Sequence, residues 1–557
     1  MNAPARGTPD TPDMPDMPDA PDMPDAHGED VLAERAPAAD AFDALELTVF
    51  SQGVAMLAEE MGGLLERSAI SPNIRERRDA SCALFDEDGR LVAQAAHIPV
   101  HLGAMPEAVA AVRRAGATAG EVYLLNDPSH GGSHLPDLTM VEVIAHPAHP
   151  SQTIGYAAVR AHHADVGGMS PGSMPFGATE LFQEGIIVPP VCIESGGLPQ
   201  RDVMRLLLAN VRTPAEREGD LRAQRGACAS GTAGWQELYR RMGARRLAAA
   251  IDALLDYTER RVRARLALLE GADGRAADAL EGDGVDDGPI AVVVHARVTG
   301  ATLHIDLTGT AGAVRGNVNA PPAVARAAAV FVLRVLCDDD VPVNDGVARA
   351  LALVIPEDCV ANAKRPSAVA AGNVELSQRM TDVLFSALVD AAASVGVHDL
   401  PIPASGQGTM NNVTLGTRDW SFYETLGGGQ GANPRGDGPD AVHVGMSNTR
   451  NTPVESLERA YPLRVLEYAI RRGTGGTGAH HGGDGVVRRY QALVPCTATL
   501  LTERRAMTPP GANGGGDGAR GRNALNDVEL AAKCRVAMAA GDTLTVETPG
   551  GGGYGRP

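Results

Sequence analysis

The stretch Ile290–Thr310, IAVVVHARVTGATLHIDLTGT, alternates apolar and polar residues on both sides of Thr299-Gly300. A period of two marks half-buried strands, and the glycine at the break predicts a β-hairpin. Upstream, Ala215 to Gly271 is Arg- and Ala-rich and predicts a long helical region, interrupted near Gly231. Downstream, Ala325–Leu336 and Ser377–Ala393 read as helices, and VVRRYQALV, ATLLTERRAM and DTLTVETPGGGGYG return to strands and glycine loops. Toward the N-terminus, Ala41–Arg67 repeats apolar residues at helical spacing, predicting an amphipathic helix docked on the body. Between it and Cys192, short runs such as CALFD, LVAQA, VYLLN and AAVRA predict strands, with one helix near Pro106 to Ala115. Helices and strands come in blocks rather than as strict βα units, so the expected class is α+β, multi-domain, with mixed sheets, a helical insert and glycine-rich loops.

With 557 residues the chain exceeds one hydrophobic core. The expected divisions are a Pro/Asp-rich tail at 1–40, a metal-site region at 41–212, a helical segment at 213–272, an α+β region at 273–400 and a glycine-rich loop and strand region at 401–557. The tail, with PDMPDMPDAPDMPDA, lacks apolar residues to bury and is expected to be disordered. A net charge of −20 argues against nucleic acid or an anionic membrane as partner. No apolar run is long enough to span a bilayer, and no signal-peptide pattern opens the chain. Seven scattered cysteines without a CxxC pair fit reduced thiols, so a soluble cytoplasmic protein is expected.

The best metal-site candidate is NDPSHGGSHLPDLT, Asn126–Thr139. A turn between His134 and Asp137 would aim an imidazole nitrogen and a carboxylate oxygen at one divalent ion, and such mixed ligation suits Zn, Mn or Fe(II). In VRAHHADVGGMSPG, His162 and His163 end a strand-like run. Neighbours on a strand face opposite ways, so only one of them can join the site. His97 and His101 frame HIPVH, and one of them could complete the coordination. Three carboxylates are candidates for catalysis: Glu76 and Asp79, among the arginines of NIRERRDASCALFD, and Asp165. For the first two, a structural ion-pair cluster is the alternative.

Other motifs carry less. GMSPG at Gly168–Gly172 spells GxSxG, but Pro171 has no N–H for an oxyanion, so a plain turn is expected. GGGQG at Gly427–Gly431 and GTGGTG at Gly473–Gly478 would either cradle an anion or let chains pack closely. The chain has only Lys364 and Lys533 as lysines and no GxxxxGK[ST], which excludes a P-loop.

Taken together, RERRDASCALFDEDGRLVAQAAHIPVHLGAM, NDPSHGGSHLPDLT, AHHADVGGMSPG, NVRTPAEREGDLRAQ, AGNVELSQRMTD, YETLGGGQGA and HVGMSNTRNTPVESLERAYPL resemble the hydantoinase B/5-oxoprolinase family, in order from about Glu46 to Tyr554. Two mild departures are MSN at 446–448, where MTN is more usual, and Leu307, where Phe is common. The resemblance implies a partner, a hydantoinase A-type subunit of actin-like ATPase fold that uses ATP to activate an amide or enolate oxygen. It also implies a metal held through His134, Asp137 and one of His162 or His163, with Glu76 close by, as in the related acetone carboxylases. The activity it implies is ATP-dependent opening of hydantoin, N-methylhydantoin or 5-oxoproline, a divalent ion lowering the pKa of water from about 15.7 toward 7. The alternative is a subunit of an acetone- or acetophenone-type carboxylase; a scaffold that only grips the ATPase is the non-enzymatic reading.

Overall fold

The computed structural model describes residues 42–557, and the Pro/Asp-rich segment at 1–40 lies outside them. The class is α+β, with helices and four sheets.

The sheet that positions the site is antiparallel, in the order β2-β1-β5-β4-β3-β6-β7. Its strands are β1 (Ala80–Phe85), β2 (Leu91–Ala96), β3 (Val122–Leu125), β4 (Asp137–Ala145), β5 (Thr153–His162), β6 (Val191–Ser195) and β7 (Leu198–Pro199). Both faces are covered, so β1, β4 and β5 are buried almost throughout. Alternate residues divide between two cores. Leu84, Met140 and Val159 join the cluster beneath α1 (Ala44–Ser68) and the helix Pro214–Met242. Phe85, Val141 and Ala158 pack instead with Met105 and Val109 of the helix Met105–Arg114.

α1 begins with a capping box, Asp43 accepting from the Glu46 N–H, and buries Phe50, Val54, Ala58, Met61 and Leu65 against the body. The expected interruption near Gly231 is not there. The helix Pro214–Met242 runs through that residue and ends at Gly243 (φ 74°). Gly231 instead serves the contact with α1: a Cβ there would stand 2.5 Å from Met61 Sδ.

The hairpin that fixes the class forms one residue later than expected. Strands Asp287–Thr299 and Thr302–Asp306 pair with Thr299 opposite Thr302, leaving Gly300-Ala301 as the two-residue turn. Both turn residues have positive φ, 57° and 50°, as a type I′ turn requires. Their sheet packs on the helices Pro322–Val335 and Ser377–Ser394 through a core that includes Val292, Val294, Leu303, Ile305, Val324 and Leu384.

Toward the C-terminus two further sheets enclose Val413, Phe422, Tyr490, Leu500 and Val546. Beside them the glycine loops are bound to one another. Gly483 N–H donates to Gln430 O (2.9 Å), Gly551 N–H to Gly483 O (2.9 Å) and Gly476 N–H to Gly551 O (2.8 Å). A Cβ on Gly429 would lie 2.0 Å from Gly483 O. Close chain packing therefore accounts for GGGQG, whose Gly428, Gly429 and Gln430 N–H groups bond the carbonyls of Val442, Pro549 and Pro439. GTGGTG does cradle an anion, but an internal one: the N–H groups of Gly473, Thr474 and Gly475 donate to the Asp484 carboxylate.

Candidate metal centre

β4 begins at Asp137 and β5 ends at His162, and the two residues are paired across the ladder. His134 sits one turn earlier, where the Asp137 N–H donates to the His134 carbonyl (3.1 Å). The strand ends and the turn bring three donor atoms together. Asp137 Oδ1 is 3.1 Å from His134 Nε2 and 3.1 Å from His162 Nδ1, and the two nitrogens are 3.2 Å apart. All three side chains are buried, and a set of one oxygen and two imidazole nitrogens within 4.8 Å of one another can hold a divalent ion.

The second carboxylate oxygen is held from outside. Ser133 Oγ donates to Asp137 Oδ2 (2.5 Å), the Asn373 amide stands 3.5 Å from it, and His101 Nε2 also approaches to 3.5 Å. His101 Nδ1 bonds Ser81 Oγ (3.0 Å), which leaves its buried Nε2 facing Asp137 with no closer bond. His134 Nδ1 bonds Ala370 O (3.2 Å). On the other side of the cluster, the Tyr423 ring stacks on His162 with centroids 4.5 Å apart and planes 16° apart.

The electrostatics suit a cation. Burial works against ionising Asp137, but the charge of His134 and hydrogen bonds from His101, His134 and His162 hold its carboxyl well below the usual range. Burial likewise opposes protonation of His134, yet Asp137 outweighs it and raises that imidazole. For His162 burial wins, and its pKa is lowered in spite of Asp137. The cluster thus keeps a buried anion beside two imidazoles: His162 is biased to the neutral form that ligates, while His134 is biased toward a proton that a bound cation would displace.

The remaining candidates separate by position. His163 projects through the opposite face of the sheet, where its Nε2 bonds Gln224 Oε1 (2.9 Å), and burial lowers it to about 4. The structure does not bring it into the cluster. Nor does Asp165 enter it: its carboxylate accepts from the N–H groups of Gly167, Gly172 and Arg212 and from Arg212 Nη1, fixing the GGMSPG loop. Glu76 is half-buried at the end of the short helix Pro72–Arg75, with its carboxylate 3.8 Å from Arg75. His97 faces Glu59 on α1 (3.3 Å), because HIPVH turns as a 3-10 segment at Pro99–His101 instead of staying extended. Asp79 is buried beside the cluster. Its carbonyl accepts from the His162 N–H (3.0 Å), and its carboxylate lies 3.7 Å from Arg77.

Residues 43–557 match the family model described as Hydantoinase B/oxoprolinase. The chain belongs to the hydantoinase B/oxoprolinase family.

Within this family, the chain is 37% identical to an uncharacterised protein of Methanocaldococcus jannaschii, the match covering 92% of this chain and 91% of the other. It is 36% identical to 5-oxoprolinase 1 of Arabidopsis thaliana over 92% of its own length but 42% of that protein's. It is 30% identical to the B-type subunit of a D-/L-hydantoinase from a Pseudomonas species, covering 92% and 90%. Among solved structures, an ATP-dependent caprolactamase from Pseudomonas jessenii superposes with a TM-score of 0.83 at 25% identity, covering 93% of this chain and 92% of that one. An acetone carboxylase superposes with a TM-score of 0.81 at 17% identity, covering 91% and 75%, and shares the fold.

Three residues that touch the cluster are not marked out by residue type in the sequence of this family member, although Ser133 lies within NDPSHGGSHLPDLT. Ser133 is one serine in a loop, Asn373 lies in a π-helical turn, Gly372–Leu376, and Tyr423 comes from the strand Ser421–Glu424. Only AGNVEL and YETLGGGQGA, as long motifs, mark the segments that hold the last two.

Proposed function

We propose that this chain is the metal-holding subunit of an ATP-dependent enzyme that opens cyclic amides, hydantoin, N-methylhydantoin or 5-oxoproline, together with a hydantoinase A-type ATPase subunit. The observation that carries the metal reading is the convergence of His134 Nε2, Asp137 Oδ1 and His162 Nδ1 in a buried pocket of donors. Relatives named 5-oxoprolinase and hydantoinase support a hydrolase of cyclic amides. The caprolactamase neighbour supports the use of ATP. The Pseudomonas relative is named as one subunit of a hydantoinase, which supports a partner.

His134, Asp137 and His162 would hold the ion, with His101 Nε2 next nearest, and the donor set admits Zn, Mn or Fe(II). A divalent ion bound there lowers the pKa of water and polarises a carbonyl oxygen. Ser133 fixes Asp137 so that Oδ1 stays turned toward the two imidazoles. Of the three candidate catalytic carboxylates, Asp79 is the one beside the cluster, and it is assigned the role of moving a proton there. The test is an ATP-consumption screen of the co-expressed pair against hydantoins, 5-oxoproline and small ketones. Consumption with a cyclic amide, accompanied by ring-opened product, is expected. Consumption with ketones alone would replace this reading with the carboxylase alternative.

A further inference from the structure

Imidazoles that ligate a metal are normally pinned through their second nitrogen, which fixes the tautomer and the ring plane. His134 follows the rule through Ala370 O, and His101 has Ser81 on its Nδ1. His162 does not. Its Nδ1 faces Asp137 and His134, while its Nε2 is buried without a hydrogen-bond partner among the described residues. What holds this ring is a flat surface. Tyr423 covers one face of it almost in parallel, and the Arg77 guanidinium lies 5.0 Å from the Tyr423 ring centroid.

Tyr423 is itself anchored at its far end. Its hydroxyl donates to Asn412 Oδ1 (2.8 Å), and Asn412 Nδ2 donates to Glu375 Oε1 (2.7 Å) and to Leu501 O (2.8 Å). Glu375 also accepts from the Met410 N–H (3.2 Å) and sits in the π-helical turn that carries Asn373 to Asp137. Turns of this kind recur at functional sites, where the extra residue re-aims side chains. All three residues, Glu375, Asn412 and Tyr423, are buried. A buried line of contacts thus runs from the AGNVEL turn to the one ligand ring whose second nitrogen has no hydrogen-bond partner among the described residues.

We propose that Tyr423, anchored by Asn412 and Glu375, is the positioning residue that sets the plane of His162 for metal binding. The inference rests on the metal reading above and adds to it the element that replaces the missing hydrogen bond. Its test is the affinity of the metal-stripped full chain for Co²⁺, measured by chelator competition, with the visible absorption of bound Co²⁺ as the second readout. Tyr423→Phe keeps the stack but frees its far end, and is expected to bind Co²⁺ about tenfold more weakly with shifted bands. Asn412→Ser breaks the same bond and also the two that Asn412 donates, so it should bind at least as weakly as Tyr423→Phe, and the double variant should be no worse than Asn412→Ser alone. Tyr423→Leu removes the stack and should approach a hundredfold loss, at the upper end of about 10–100-fold for such groups. Glu375→Gln keeps an oxygen for Asn412 and should stay near wild type. Wild-type affinity and an unshifted spectrum in Tyr423→Phe would overturn this inference alone. A wild-type chain that binds no Co²⁺ would overturn it together with the metal reading.

Discussion

Asp137 and His162 face each other on a rung of the β4–β5 ladder, with Asp137 Oδ1 3.1 Å from His162 Nδ1. The pairing makes the site a property of the sheet. A slip of either strand by one residue would turn its own side chain, Asp137 or His162, to the other face, toward Gln224 and the helix Pro214–Met242, and part the pair. The rest of the ladder, Leu138 to Ala145 against Thr153 to Ala161, is buried on both faces and holds that register.

Alanine at His134, Asp137 or His162 is expected to leave the chain without stoichiometric metal, because each removes one of the three donors that converge among the described residues. His163→Ala should retain it. Plasma mass spectrometry on the four variants and the wild type reads this directly. Full metal content in both His134→Ala and Asp137→Ala would defeat the assignment.

His163 and Asp165 are expected to act on stability. Loss of His163 strands Gln224 Oε1 in the interior, a cost of about 1–3 kcal/mol. Loss of the Asp165 carboxylate frees three backbone N–H groups and Arg212 Nη1, a cost of at least about 2 kcal/mol. Denaturant unfolding of the two alanine variants measures both effects. Metal loss at unchanged stability in either would return that residue to the site.

Glu375 predicts a pH dependence. Burial and then the neighbouring Glu503 carboxylate push its acid up to about 8. A carboxyl whose folded pKa lies above its unfolded value stabilises the fold fully below the unfolded pKa, and that contribution is lost as pH rises through the folded one. Wild type should therefore lose stability relative to Glu375→Gln between pH 5 and pH 9. Melting temperatures across that range would show curves that start together and separate as pH rises, wild type falling below the variant; parallel curves would mean that the carboxyl does not titrate there.

The glycine loops give a stability contrast with an internal control. In Gly429→Ala the new methyl would meet Gly483 O at 2.0 Å and Gly551 N at 2.2 Å, both backbone atoms. Overpacking of this kind costs about 1–3 kcal/mol or more. Gly436→Ala has open space around its Cβ and is expected to stay within about 0.5 kcal/mol of wild type. Equal urea midpoints for the two variants would contradict the packing account.

By itself the sequence determined the local elements and the ligand types. Period-two alternation announced the hairpin at Ile290–Thr310, although not that Gly300-Ala301 rather than Thr299-Gly300 makes the turn, since the register depends on pairing with the partner strand. The same period established that His162 and His163 diverge, because a strand's geometry is local. Which of them turns toward Asp137 was decided by which face of the sheet receives the helix Pro214–Met242, a contact between residues far apart in the chain. Gly231 read as a break for a related reason: propensity sees a helix weakened at glycine, while Met61 on α1 needs the missing side chain. The carboxylate Asp165 had the right chemistry, but its hydrogen bonds go to the GGMSPG loop, and Glu76 lies half-buried at a helix end beside Arg75. Ser133, Asn373 and Tyr423 were legible only as parts of NDPSHGGSHLPDLT, AGNVEL and YETLGGGQGA, because a side chain that holds a ligand needs only position, and position across 236 residues, as between Asn373 and Asp137, exists only once the chain has folded.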